Sequence, residues 1–382
     1  MKVSILTQPL GRNYGGLLQA YALQSCLKKL GCDVETLDRR AHASKRALAK
    51  RYTINVIRLL LGRIKSIPTA RRQSQVFKDL AEFRDKRLLM SPTITSEHEL
   101  RDYYRTRNFD VFLVGSDQVW RPRYSPSILN FYLDFLDDIK SSAKRIAYAA
   151  SFGVDDWEYT SELTEKCKGL AQQFDAISVR ESAAVDLCKE KLGVSAQCVV
   201  DPTLLLEPAD YEPLIKGCGE NANADCILSY VLDPAPEKCS IADSAGSTLG
   251  VKVFSIKPEY SVTQVRAKDL GTCRFPSVES WLQAFRDARF VVTDSFHGTV
   301  LSILFNKPFI AVGNSARGMA RFESLLSQFG LTERLVESSN EVSPELILRE
   351  IDWDAVDNKR NALASVGHQF LKTHLLGNRF DD

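Results

Sequence analysis

The chain is poor in the residues and patterns that would tie it to metal, redox or nucleotide chemistry. Its nine cysteines (Cys26, Cys32, Cys167, Cys188, Cys198, Cys218, Cys226, Cys239 and Cys273) form no CxxC pair, and its five histidines form no cluster with them. That spacing gives no zinc site and no disulfide framework, so no metal is expected, and the thiols read as small buried residues of a reducing compartment. No GxGxxG follows a strand and no GxxxxGK[ST] occurs, which removes the dinucleotide fingerprint and the P-loop as grounds for a function. No apolar run approaches the roughly 18 residues of a membrane span, and the apolar part of Met1 to Gln8 is too short for a signal peptide. A soluble cytoplasmic protein is expected.

What is present is a long alternation of strand and helix patterns. With 382 residues, 44% of them hydrophobic, the chain has material for two cores. Val3 to Leu6, Val34 to Leu37, Phe109 to Val114, Arg145 to Ala150, Ala176 to Arg180 and Gln197 to Pro202 read as strands of a first half, with an amphipathic helix after Gly16 and basic helical sequence from about 40 to 90. Cys226 to Leu232, Val251 to Ile256, Phe290 to Thr293 and Pro308 to Val312 read as strands of a second half, with helices after Pro234, over 277–287 and after His297. The alternation predicts parallel sheets in two Rossmann-like α/β domains, 1–205 and 206–345, facing a cleft. Residues 346–382 are expected as a helical tail able to pack back on the N-terminal domain.

The net charge of +2 hides an asymmetry. From Arg39 to Lys78 there are twelve Lys and Arg and no Asp or Glu, which leaves 38 basic against 48 acidic residues elsewhere. This is a local patch, which argues against nucleic acid as a partner and suits peripheral contact with the inner face of a membrane.

Chemistry is expected where strands end. Asp294-Ser295-Phe296-His297-Gly298 sets a histidine between a buried-looking strand and an apolar helix, the place where open α/β sheets bind ligands. His42, His98, His368 and His374 have no such setting. His297 is therefore the candidate imidazole for acid/base work, against the alternative of a ring that only caps its helix. Gly115-Ser116-Asp117-Gln118 follows another strand and offers Asp117 as a second acid/base group, against the alternative of a turn residue.

The ordered set Asn13-Tyr14-Gly15-Gly16-Leu17-Leu18-Gln19-Ala20-Tyr21-Ala22-Leu23, Gly115 to Trp120, Ser178-Val179-Arg180-Glu181, Val200-Asp201-Pro202-Thr203, Asp294 to Gly298 and Arg317-Gly318 to Arg321 resembles the polysaccharide pyruvyl transferase family over about residues 3 to 335. The resemblance implies a fold similar to GT-B glycosyltransferases and transfer of a pyruvyl group from phosphoenolpyruvate to two hydroxyls of a sugar. The products are a pyruvate ketal and phosphate. It implies no cofactor beyond phosphoenolpyruvate as donor, and a lipid-linked or nucleotide-linked sugar as acceptor. Arg180 and Arg317 match family positions that read as donor ligands, and arginine suits a small molecule bearing phosphate and carboxylate. Arg321 is a weaker donor candidate that can equally face solvent, and Ser295 with the adjoining helix amides can hold phosphate. Other family branches carry an arginine at position 295; Arg286 and Arg289 are the candidate substitutes. Asn13, Tyr14, Ser116 and Gln118 are candidate acceptor ligands. Trp120 and Trp281 are core aromatics or sugar platforms, and Asp201 reads as a structural residue of the connection. The competing functions are a nucleotide-sugar glycosyltransferase on the same architecture and a sugar-binding protein that has lost catalysis.

Overall fold

The computed structural model describes residues 1–313 and 318–377. Two parallel sheets account for the alternation. The first contains β1 (Lys2–Leu6), β2 (Asp33–Arg39), β3 (Met90–Ile94), β4 (Val111–Asp117), β5 (Lys144–Ala150), β6 (Ala176–Val179) and β7 (Gln197–Cys198), in the order β3-β2-β1-β4-β5-β6-β7. The second contains β8 (Ile227–Tyr230), β9 (Val253–Phe254), β10 (Phe290–Thr293), β11 (Phe309–Val312) and β12 (Leu335–Val336), in the order β12-β11-β10-β8-β9. Strand order reverses between β1 and β4 in one sheet and between β8 and β10 in the other. At such switch points neighbouring connections leave to opposite faces and open a crevice at the carboxyl ends of the strands.

The central strands β4, β10 and β11 are buried along their whole length, which is why they read as unbroken apolar runs. The edges are less regular. β3 holds Pro92 and was not legible as a strand; proline is tolerated there because β3 is outermost and one face of its ladder needs no donor. β7 and β9 pair over two residues each, shorter than the predicted 197–202 and 251–256, because each is also an edge.

Helix α1 (Tyr14–Lys29) follows β1. Asn13 caps it by accepting from Gly15 N, and Lys28 and Lys29 sit in its last turn, where the helix dipole favours cations. It is buried on almost every side because it is sandwiched between the first sheet and the second half of the chain. Its two buried glutamines are satisfied: Gln19 donates to Thr7 Oγ1 and accepts from Ser116, and Gln24 donates to Thr36 Oγ1 and Leu89 O. Tyr14 closes the contact, stacked on Trp281 at 4.9 Å with its hydroxyl donating to Pro276 O at 2.7 Å. Such a pair is worth about 0.5–1.5 kcal/mol beyond its buried area.

Helices α2 (Lys45–Leu60) and α3 (Ala70–Val76) form the basic excursion between β2 and β3. The last helix, Trp353–Leu376, spans both halves: Lys359 Nζ donates to Phe329 O, while Phe370 lies against Tyr148 of β5 and Lys144 Nζ donates to His374 O. No described helix is long and apolar enough to cross a membrane.

Candidate functional site

The two switch points meet. His297 stands in the first turn of helix Phe296–Leu304, directly beyond β10, and faces the first turn of α1, which starts beyond β1. The approach is so close that a Cβ on Gly15 would lie 2.2 Å from His297 Nδ1. Only glycine leaves room for the ring there.

Around this ring the chain gathers charges that are far apart in sequence. Arg180, just past β6, donates from Nη1 to Asp201 Oδ2 at 2.8 Å and from Nη2 to Asp117 Oδ1 at 3.2 Å. Its Nε lies 4.0 Å from Glu181 Oε2, and its guanidinium sits 4.2 Å from the centre of the Phe296 ring. Arg321, in helix Ala320–Phe329, approaches the same ring at 5.6 Å. Asp201 also accepts from Thr203 N and Oγ1, and its Oδ2 is 3.7 Å from His297 Nε2. Glu181 is fixed by Ser151 Oγ and the amide of Phe152. Gly318, at φ +92, lets the segment before Arg321 pass against Gly153; a Cβ there would fall 1.8 Å from Gly153 O.

All of these side chains are buried, so their ionisation is set by one another. Burial pushes the His297 imidazolium pKa below its ordinary value; Asp201 and Asp117 pull it back, Arg180 and Arg321 push it down again, and the net direction is down. His297 is accordingly neutral at neutral pH, and its Nε2 makes no hydrogen bond among the described residues. Burial raises the pKa of Asp117, but the charges of Arg180 and Arg321, joined by that of His297 once acid protonates it, outweigh burial and hold the group below the usual carboxylate range. Burial and the charge of Arg180 lower the Arg321 pKa to about 10, so it is still cationic at neutral pH. The result is a proton acceptor held among fixed ionic groups. No set of three or more His, Cys, Asp or Glu among the described residues is arranged to hold a metal.

A model of the polysaccharide pyruvyl transferase family matches residues 13–316. The chain belongs to this family. No curated protein is similar enough in sequence to match. Among solved structures, a putative UDP-N-acetylglucosamine 2-epimerase from Listeria monocytogenes is similar at TM-score 0.53 and 9% identity, covering 100% of this chain and 98% of that one. UGT89C1 of Arabidopsis thaliana, crystallised with UDP-L-rhamnose, is similar at TM-score 0.50 and 11% identity, covering 98% and 95%. At these identities the likeness concerns the fold alone, and it is the GT-B-like arrangement of two parallel α/β halves.

Within this pyruvyl transferase the predicted residues divide. His297, Asp117, Arg180 and Arg321 come together, and Arg321 is buried rather than solvent-facing. Arg317 lies outside the described residues. Ser295 caps the His297 helix by accepting from Gly298 N, as Asn13 caps α1. Ser116 is buried with its hydroxyl on Gln19, and Gln118 accepts from Arg121 through Oε1. Tyr14 is committed to the contact between the halves, and Trp281 with it; Trp120 is buried with its indole N–H on Phe131 O. Arg286 and Arg289 do not replace the missing arginine. They precede β10, at the opposite end of the strand from His297, and pair with Asp287, Glu212 and Asp225.

Three participants were missed. Asp201 is not merely a connector residue, because it joins Arg180 to His297. Glu181 completes the set, and its place directly after Arg180 at a strand end was the available signal. Lys238 reaches the same edge and pairs with Asp294 at 2.6 Å, while Asp294 also accepts from the amides of Leu232 and Asp233.

Proposed function

We propose that this polysaccharide pyruvyl transferase takes its pyruvyl group from phosphoenolpyruvate and joins it through one carbon to two hydroxyls of a single sugar carried on a lipid or a nucleotide. The observation that carries this reading is a neutral, buried imidazole with an unbonded Nε2, set among Asp117, Asp201, Arg180 and Arg321 where the two sheets meet.

The chemistry asks for such a group. The donor's CH2 carbon gains a proton, its phosphate-bearing carbon gains two C–O bonds, and the C–O bond to phosphate breaks. Of the two hydroxyl protons lost, one ends on the new methyl group and one on phosphate. Neutral His297 is suited to accept a hydroxyl proton and, once charged, to return it to the CH2 carbon or to the leaving phosphate. Arg321, with Arg180 behind it, supplies positive charge beside the ring, and Asp201 stabilises the imidazolium that forms. The second half of the chain is assigned to the donor and the first to the acceptor. Phosphoenolpyruvate arises inside cells, so this reading makes the enzyme cytoplasmic.

The test is phosphate release from phosphoenolpyruvate by purified protein against a panel of lipid-linked and nucleotide-linked sugars. Release that requires both substrates supports the reading. Turnover of a nucleotide sugar without phosphoenolpyruvate would replace it with glycosyl transfer.

A further inference from the structure

Helix α2 and the turn after it expose more aliphatic surface than a helix of a soluble protein ordinarily leaves in water. Ile54, Ile57, Leu60 and Leu61 are 46, 50, 81 and 62% exposed. Arg46, Lys50, Ile54, Ile57 and Leu61 recur at steps of four, four, three and four, so they form one stripe along the helix. Its first half is cationic and its second half aliphatic. The other side of α2 carries Tyr52 and Leu59 over a cleft of about 660 Å³, whose walls include Lys65, Arg71 and Arg72 and no carboxylate. The helix is anchored at its C-terminal end, where Ile64 is buried, Lys65 N donates to Thr263 O at 2.7 Å and Ser66 Oγ to Val262 O at 2.6 Å. Arg12, in the loop before α1, donates to Gln73 of α3, which ties the excursion to the loop leading into α1.

We propose that α2 docks the protein on an anionic lipid surface, the aliphatic half of the stripe entering the headgroup boundary while the cations meet lipid phosphates. Charge decides the occupant. Arg39 and Arg40 are paired with Glu97 and Asp38, but the ten cations from Lys45 to Lys78, with no carboxylate among them, complement a negative surface and attract it over about a Debye length. A second copy fits less well: in a parallel two-fold contact Arg46 and Lys50 would face their own equivalents, and in an antiparallel one they would face Ile57 and Leu61 of the copy, losing water without gaining a counter-charge. The inference is independent of which substrates the enzyme uses.

The test is cosedimentation of the full chain with vesicles of phosphatidylcholine, with and without phosphatidylglycerol. Binding is expected to the anionic vesicles only and to weaken steeply with salt. Each cation at the surface contributes about fivefold to the partition coefficient, so replacing Arg46, Lys50, Arg51 and Arg58 together by Gln is expected to lower it on the order of 100-fold or more. Ile54→Ser with Ile57→Ser is expected to lower it too. All these side chains are exposed, so the circular dichroism and unfolding midpoint are expected to match wild type. As a second measurement, a Leu60→Trp chain is expected to lose fluorescence to brominated anionic lipid. Absence of wild-type binding at low salt, or equal binding to neutral vesicles, would overturn the proposal. So would light scattering that shows a dimer dissolved by the Ile54 and Ile57 substitutions in a chain that ignores vesicles.

Discussion

Replacing Gly15 by Ala perturbs the position of His297 without removing or replacing any ionisable group. An added Cβ would stand 2.2 Å from Nδ1 and 2.3 Å from Cγ of the ring, where ordinary contact begins at 3.4 Å, so helix and ring must part by about 1 Å. Alanine is the better helix former by about 0.5–1 kcal/mol, so a loss of activity cannot be assigned to the helix itself. A displacement of about 1 Å at a reacting group costs on the order of 100-fold in rate. Gly16→Ala is the matched control, because its Cβ would meet nothing nearer than 3.8 Å. Steady-state phosphate release is expected to fall by about that factor in Gly15→Ala and to stay within a few-fold of wild type in Gly16→Ala. If Gly15→Ala turns over like wild type with an unchanged unfolding midpoint, the ring is not held against α1 as described and its role in transfer fails with it.

His297→Gln is expected to cut turnover by about 10² to 10⁴ while leaving the circular dichroism unchanged. The same substitution tests the pH dependence of stability. Burial holds the folded His297 pKa below 6.5, so the unfolded chain takes the proton first; the contribution is complete above about 6.5 and is lost as pH falls. Urea midpoints are therefore expected to drop as pH falls below about 6.5 in wild type and to drop less in His297→Gln, with a further loss below about pH 4 as Asp117 protonates; parallel curves for the two chains would contradict this. Arg180→Ala strands buried carboxylates on three sides and is expected to destabilise by about 3–5 kcal/mol in chemical denaturation, beyond any effect on donor binding. Arg180→Lys is expected to recover only part of this, because an ammonium does not span Asp117 and Asp201 as the guanidinium fork does.

Much of the fold was legible because it is written locally. The strands buried on both faces carry continuous apolar runs; the caps were not legible, since Asn13 and Ser295 read as ligand residues and each caps a helix. The edges were not: Pro92 in β3 argued against a strand that exists because its position is outermost. At the site, His297 and Arg180 were legible because each follows a strand, so the topology sends each to the carboxyl-end edge of its own sheet. Their partners were not. Nothing local distinguishes Asp201, which receives Arg180 and approaches His297, from an aspartate that merely caps the turn at Pro202, and it does both. Tyr14 shows the reverse error. It read as a candidate acceptor ligand, but its ring is claimed by Trp281 and its hydroxyl by Pro276, 262 residues away. Pairings at such separations depend on how two sheets dock, which one sequence does not display.

The most direct measurement is the fate of the donor's CH2 carbon. Phosphoenolpyruvate labelled with ¹³C at that carbon is turned over in D2O with an acceptor sugar, and the product is read by NMR. The account predicts one phosphate released per sugar modified and the label in a CH2D methyl group on a quaternary ketal carbon, with no such product from His297→Gln on the same time scale. A labelled carbon that remains an alkene CH2, or a sugar product that forms without phosphoenolpyruvate, would contradict it.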